Sequence, residues 1–100
     1  MDINKNNESY QVTDTTSDGW NVTGKVVTYV SGRTECNLNI NSDTDSIGWY
    51  NITIPTEGKS NISLTVNPDY MDSVIDYTQT AWTTVKEYLA NQVTPISTKE

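Results

Sequence analysis

The hydrophobic residues in the middle of the chain alternate with polar ones. In the clearest segment, Cys36, Leu38 and Ile40 alternate with asparagines, as expected for a strand that buries one face and solvates the other. A similar enrichment in Val, Ile, Thr and Tyr marks three more segments, which span residues 20–30, 47–54 and 62–66. We therefore predict four strands, and residues 9–12 are compatible with a short extra strand at the edge of the sheet.

The pattern changes to a helical one after residue 66. Asn67 suits an N-cap, Pro68 the first helical position and Asp69 the first turn, where the helix dipole favours a negative charge. Over residues 71–89 the apolar side chains recur three or four positions apart, which is the spacing of one helix face. We predict a single helix that ends near Asn91.

These elements predict a two-layer α+β fold. Short connections favour an antiparallel meander of four strands, and the apolar face of the helix has to pack against one face of that sheet. The chain is long enough for one small domain, which we place at residues 9–92. Residues 1–8 are expected to form a flexible N-terminal arm, and residues 93–100 a polar C-terminal tail.

The composition excludes several kinds of catalytic chemistry. The chain has no His and a single Cys, so it lacks the usual general base near neutral pH and cannot build a thiolate or imidazole zinc site. Cys36 alternates with apolar residues and is expected to be a buried structural thiol. We predict a protein that is not an enzyme and needs no cofactor or metal. The unpaired Cys and the absence of a visible leader favour a cytoplasmic location.

The loop after the clearest strand carries part of a calcium-binding pattern. Asn41, Asp43 and Asp45 have the spacing of the first oxygen ligands of an EF-hand loop. The Gly and Glu that such a loop requires are replaced by Ser46 and Ile52. We interpret the segment as a turn in which the Asp side chains cap local backbone amides.

The balance of charges bears on the kind of partner. Thirteen acidic and six basic side chains give a net charge of −7, which disfavours direct binding to nucleic acid or to anionic membranes. A basic protein partner is electrostatically favoured. Asp69, Asp72 and Asp76 share one stripe of the predicted helix, with neighbours about 5–6 Å apart. Two interpretations are open: a phosphate-like surface that binds a basic partner, or an ordinary solvated helix face.

The face of the sheet away from the helix is the second candidate surface. Alternation along the strands places five residues of interest there: Tyr29, Trp49, Asn37, Asn39 and Asn51. Rigid aromatic side chains among amides and hydroxyls are typical of protein-recognition surfaces. The alternative is a solvated sheet face with two isolated aromatic residues.

In size, acidity and lack of catalytic groups, the chain resembles phage or mobile-element antagonists of nucleic-acid-binding proteins, including anti-CRISPR proteins and DNA mimics. This resemblance implies a protein-binding module that inhibits a basic host protein by occlusion, as a monomer or a homodimer. The alternative hypothesis is a small structural or accessory subunit, such as a virion component, that self-assembles through the open face of its sheet.

Overall fold

Six strands of the described residues form one antiparallel sheet, in which each strand pairs with its neighbours in the chain. The computed structural model describes residues 1–5 and 9–92, and the strand order in the sheet is the order in the sequence. The strands are β1 (Asp2–Lys5), β2 (Tyr10–Thr15), β3 (Asn21–Thr28), β4 (Thr34–Asn41), β5 (Ser46–Ile54) and β6 (Asn61–Val66). A turn of 3-10 helix, Pro68–Tyr70, leads into helix α1, Met71–Ala90.

The α+β class fits the prediction, but the expected number of four strands is wrong. β2 lies inside the sheet between β1 and β3 rather than at its edge. β1 falls within the segment expected to be a flexible arm. Ile3 is its only apolar residue, so its sequence shows no alternation of apolar and polar residues. The pattern also misses the end of β2, because Asp14 and Thr15 are turn-type residues that nevertheless pair with Val22 and Asn21. Residues 6–8 and the predicted tail at 93–100 lie outside the described residues.

The core lies between α1 and the side of the sheet that faces it. Its buried hydrophobic residues are Tyr10, Val12, Val22, Val26, Cys36, Leu38, Ile40, Ile47, Tyr50, Ile52, Val74, Ala81 and Val85. The prediction that Cys36 is a buried thiol is confirmed. Burial raises the pKa of this thiol to about 12, so it stays protonated and unreactive at neutral pH.

One position in the core-facing side of the sheet requires glycine. Gly24 lies between Val12 and Leu38 in the ladder. A Cβ at this position would overlap the backbone of Asn37 and lie 2.8 Å from Cδ2 of Leu38. The Leu38 side chain therefore occupies the space that a side chain at position 24 would need, and the layer remains closely packed.

Contacts along one flank of α1 fix its position over the sheet. The Tyr77 hydroxyl donates a hydrogen bond of 2.7 Å to Oδ2 of Asp14 in β2. The ring of Tyr88 packs edge-on against Tyr10 in the same strand, with ring centroids 5.4 Å apart. The helix therefore runs along β2, from the end where that strand finishes to the end where it begins.

The other flank of α1 faces the half of the sheet that contains β5 and β6. At 100° per residue, Met71, Ile75 and Trp82 lie on the side of the helix away from Tyr77. Trp82 is half-buried and packs against the core residues. Met71 and Ile75 are exposed.

The predicted start of the helix is confirmed in its capping residue. The side-chain oxygen of Asn67 accepts a hydrogen bond of 3.0 Å from the backbone N–H of Asp69. Pro68 follows as the first residue of the turn, where its missing N–H costs nothing. The chain therefore leaves β6 and enters the helix at the same end of the sheet.

Candidate protein interface

All eight aspartates of the chain lie at one end of the molecule. In an antiparallel meander, alternate connections emerge at the same end of the sheet, and β2, β4 and β6 all finish at this one. Thr15 pairs with Asn21 and Asn21 with Asn41. β6 ends at Val66, and the N–H of the next residue, Asn67, donates to the carbonyl of Ile47 at the start of β5. We call this the aspartate end, and it comprises Asp2, Asp14, Asp18, Asp43, Asp45, Asp69, Asp72 and Asp76.

Several separate elements bring these carboxylates together. Asp2 is opposite Thr13 at the start of β1, and Asp18 lies in the β2–β3 loop. Asp43 and Asp45 lie in the β4–β5 loop, which emerges beside it. The fold therefore collects at one end charges that are distributed over most of the sequence.

The predicted stripe of Asp69, Asp72 and Asp76 is exposed to solvent. Asp72 and Asp76 lie on the side of α1 away from the sheet, because Val74 and Val85 define its buried side. Asp76 also lines a shallow groove between α1 and the β2–β3 loop, and this groove includes Asp18. The structure therefore joins the helix stripe to Asp18 of the β2–β3 loop across this groove.

The opposite end of the molecule carries four basic side chains, together with Glu35, Glu57 and Glu87. Lys5 pairs with Tyr10 at the beginning of β2, Arg33 lies in the β3–β4 turn and Lys59 in the β5–β6 loop. Lys86 is near the end of α1, and Lys25 lies at mid-sheet opposite Gln11 and Asn37. Among the described residues, the aspartate end has no Lys or Arg side chain, so the charge is strongly segregated along the strand direction.

Asp14 differs from the other aspartates because it is half-buried and has partners. It accepts the hydrogen bond from Tyr77 and lies 3.4 Å from the amino group of Met1. Burial raises the pKa of the Asp14 carboxyl, but the hydrogen bonds from Tyr77 and the Thr15 backbone and the nearby amino group outweigh it, so the pKa is lower than usual. Burial and the neighbouring carboxylate raise the pKa of Tyr77. This pair therefore holds the helix to the sheet.

The open face of the sheet brings four of the five predicted residues together. Asn37 is directly opposite Asn51, and Asn39 is directly opposite Trp49. The side chain of Trp49 is 45% exposed. Residues that pair directly from strand to strand form a row across the sheet, and the row of Trp49 also contains Thr13 and Asp2. The exposed indole therefore lies on the half of the face nearest the aspartate end.

Tyr29 is separated from this group. It follows the last residue of β3, at the end of the sheet where the basic residues lie, six positions beyond the row that contains Trp49, or about 20 Å along the strand. Its hydroxyl donates a hydrogen bond of 2.7 Å to Glu35, and the guanidinium of Arg33 lies 5.6 Å from the centre of its ring. Arg33 also forms an ion pair with Glu35 at 3.5 Å. These contacts give Tyr29 a role in stabilising the β3–β4 hairpin.

The loop with partial calcium-ligand spacing is closed by its own hydrogen bonds. The backbone N–H of Ser42 donates to the carbonyl of Asp45 at 2.8 Å, and the Ser42 hydroxyl accepts from the N–H of Asp45 at 3.0 Å. Ser42, which is not part of the ligand spacing, provides the side-chain cap. Within residues 1–5 and 9–92, no group of three carboxylate or thiol side chains is close enough to hold a metal ion.

The chain was compared with protein-family models, curated proteins and solved structures, and none of them matches it. In the part of the chain that the structure describes, the helix is not apolar enough to cross a membrane. The surfaces themselves therefore carry the functional interpretation.

Proposed function

We propose that this protein is a non-enzymatic binding module whose aspartate end occupies the nucleic-acid-binding surface of a basic partner protein. The segregation of charge carries this proposal. Clustered carboxylates attract a surface lined with Lys and Arg in the same way as the phosphates of nucleic acid do. The protein then acts as an inhibitor by occlusion, and we place this activity in the cytoplasm, where nucleic-acid-binding partners are available.

The position of Trp49 supports the same proposal. Charges at an interface mainly increase the rate of association, whereas a large side chain that becomes buried mainly slows dissociation. Trp49 is exposed on the half of the open face nearest the aspartate end, with Asn39 opposite and Asn37 and Asn51 in the adjoining row. A partner that binds the aspartate end and extends over this face would bury the indole.

The partner can be identified by capture on the immobilised protein from an extract of the natural host. We expect heparin, a polyanion, to elute the partner and a neutral dextran to leave it bound, because heparin competes for the same basic surface. The eluted protein should bind nucleic acid, and addition of this protein should inhibit that binding. Elution by both polymers alike would contradict the proposal.

Matched pairs of charge variants distinguish the two ends of the molecule. Asp72→Asn with Asp76→Asn removes two charges from the aspartate end, and Glu57→Gln with Glu87→Gln removes two from the rest of the surface. We expect the first pair to weaken binding about tenfold or more at low salt, with a smaller effect at high salt where exposed charges are screened. The second pair should change the affinity little.

Trp49→Ala should accelerate dissociation with little dependence on salt, because its contribution is apolar. The structural-subunit hypothesis makes different predictions: both charge pairs are neutral, and Trp49→Ala changes the size of an oligomer in light scattering. A wild-type affinity that is constant from about 0.05 to 0.5 M salt, over which the screening length falls severalfold, would rule out recognition through the aspartate end.

A further inference from the structure

Strand β6 is an edge of the sheet without the usual protection of an edge. Sheet edges in monomeric proteins are commonly protected by charged side chains or Pro, which oppose pairing with another strand. The other edge, β1, contains Asp2 and Lys5 among its four residues. β6 has the sequence Asn-Ile-Ser-Leu-Thr-Val, without a charge or a Pro. It therefore remains able to pair with a further strand.

The backbone groups that β6 presents outward follow from the ladder. The N–H of Asn67 donates to the carbonyl of Ile47, and in an antiparallel pair the residues that exchange hydrogen bonds alternate with those that do not. The odd-numbered residues of β6 therefore bond to β5. The N–H and C=O groups of Ile62, Leu64 and Val66 point away from the sheet and, within residues 1–5 and 9–92, no strand accepts them.

The same three residues form an apolar border on the side of the sheet that faces the helix. Ile62 is 68% exposed, although its side chain is on the core side of the sheet. Met71 and Ile75, on the flank of α1 that faces this edge, are 44% and 37% exposed. Outward hydrogen-bonding groups and exposed apolar side chains thus coincide along one edge.

We propose that a second copy of this chain pairs with β6 in antiparallel orientation, so that the two sheets become one continuous sheet. The two-fold axis passes between the two Leu64 residues, and Ile62 of each copy is opposite Val66 of the other. All residues in these pairs have outward-pointing backbone groups, so the hydrogen bonds are satisfied in this register. Ile62 then packs beside the start of the other helix, where Met71 is exposed.

Charge complementarity favours this occupant. A two-fold axis perpendicular to the sheet places the aspartate end of each copy beside the opposite end of the other, where Lys59 lies. In the proposed register, Lys59 of one copy lies across from Asp69 of the second. Because the contact is isologous, it closes after two copies and does not lead to a fibre. The inference does not rest on the proposed function, since it is argued from the backbone and the apolar side chains of the β6 edge.

Disulfide formation tests both the contact and its register. In this register the Cα atoms of the two Leu64 residues are about 5.5 Å apart, within the range of a disulfide, whereas those of the two Ile62 residues are about 14 Å apart. We expect Leu64→Cys to form a covalent dimer under mild oxidation and Ile62→Cys to remain unlinked. The wild type is the control for disulfide formation through Cys36, and it should remain unlinked because this thiol is buried. Linkage of Ile62→Cys without linkage of Leu64→Cys would overturn the register.

Sedimentation equilibrium tests the dimer without a covalent link. The wild type should have twice the 11.2 kDa mass of one chain. Ile62→Lys should raise the dissociation constant at least about tenfold, because a charge would be buried beside Val66 of the other copy, and the exposure of Ile62 leaves the fold intact. Thr23→Lys, with the same charge change at the centre of the open face, should remain dimeric.

Three results of sedimentation would overturn the proposal. The first is a wild type that stays monomeric at several hundred micromolar. The strand that pairs with β6 would then have to come from another protein or from residues 93–100 of the same chain. The second is a series of larger assemblies, which would indicate head-to-tail pairing of β6 with β1. The third is a dimer that Ile62→Lys does not weaken, since its contact would then lie on another surface.

Discussion

The hydrogen bond between Tyr77 and Asp14 joins residues 63 positions apart and fixes α1 on β2. Both groups are half-buried, and the bond satisfies the carboxylate where water is partly excluded. The low pKa of Asp14 shows that the folded state favours the ionised form. The stability of the fold therefore depends on the charge of this one aspartate.

Tyr77→Phe should destabilise the fold by about 1.5–3 kcal/mol at neutral pH, the usual contribution of a hydrogen bond to a charged group. Since the pKa of Asp14 is lower in the folded state, its stabilisation is complete above the ordinary pKa of 3.8. It is lost as the pH falls through the folded-state pKa. The difference between the two proteins should therefore shrink below about pH 4, as measured by urea unfolding at pH 7 and pH 3.

Tyr70→Phe is a suitable control for that measurement. Tyr70 is exposed at the start of the helix and packs its ring edge-on against Trp20, with centroids 5.0 Å apart. Removal of its hydroxyl should change the free energy of unfolding little at either pH. A constant loss at both pH values in Tyr77→Phe would show that the hydroxyl contributes without regard to the charge of Asp14.

The local sequence pattern predicted the burial and the capping role of individual residues, whereas contacts between distant residues depended on the fold. The burial of Cys36 and the cap at Asn67 follow from alternation and from capping preference, and both are confirmed. The pairing of Tyr77 with Asp14 could not be predicted, because it depends on which strand the helix crosses. Tyr29 was placed with Trp49 on the open face, but sequence alone did not show that they lie at different ends of it.

At the scale of elements, the helix approaches the sheet at a residue with a small side chain. Ala81 is 1% exposed, between the buried Val74 and Val85 on the face of α1 that contacts the sheet. Ala81→Leu should destabilise the fold by about 1–3 kcal/mol, because the added atoms overpack a closed layer. The midpoint of thermal unfolding should fall accordingly.

Ala90→Leu provides the matched substitution on the same helix. Ala90 is exposed at the last position of α1, so the larger side chain meets solvent, and helix propensity is nearly equal for the two residues. Its melting temperature should remain close to that of the wild type. Equal losses in both variants would mean that the substitution acts through the helix itself and not through its contact with the sheet.

The sequence pattern indicates a strand only when one face of that strand is buried, because burial requires apolar side chains at alternate positions. β4 has one buried and one solvated face and is therefore visible as alternation. β1 pairs with β2 through its backbone, and its side chains are mostly exposed, so its residues are free to be polar. The count of strands was wrong for this reason, while the class and the helix were predictable.

At the scale of the whole molecule, the topology gathers at one end of the fold aspartates that are scattered along the sequence. The loop aspartates lie in connections that alternate along the chain, and alternate connections of a meander share an end. This convergence could have been predicted from the strand order together with the loop positions. The apolar edge at β6 could not, because the sequence does not show how much of the sheet one helix covers.

Charge segregation should govern the behaviour of the protein on an anion-exchange column. The molecule adsorbs through its most acidic surface, so local charge and not net charge sets the retention. Asp18→Asn with Asp43→Asn should lower the salt concentration at elution more than Glu57→Gln with Glu87→Gln, although both pairs remove two charges. Equal shifts would show that the carboxylates act through the net charge alone.

The meander also has a consequence for synthesis on the ribosome. Each hairpin of the sheet can form as soon as its second strand has been made, because every strand pairs with a neighbour in the chain. The apolar side of that sheet, however, has no cover until the helix has been translated. The contact of β2 with Tyr77 forms late, because 63 positions separate Asp14 from Tyr77. Nascent chains are therefore most prone to aggregation late in translation, when the sheet is complete and the helix is still inside the ribosome.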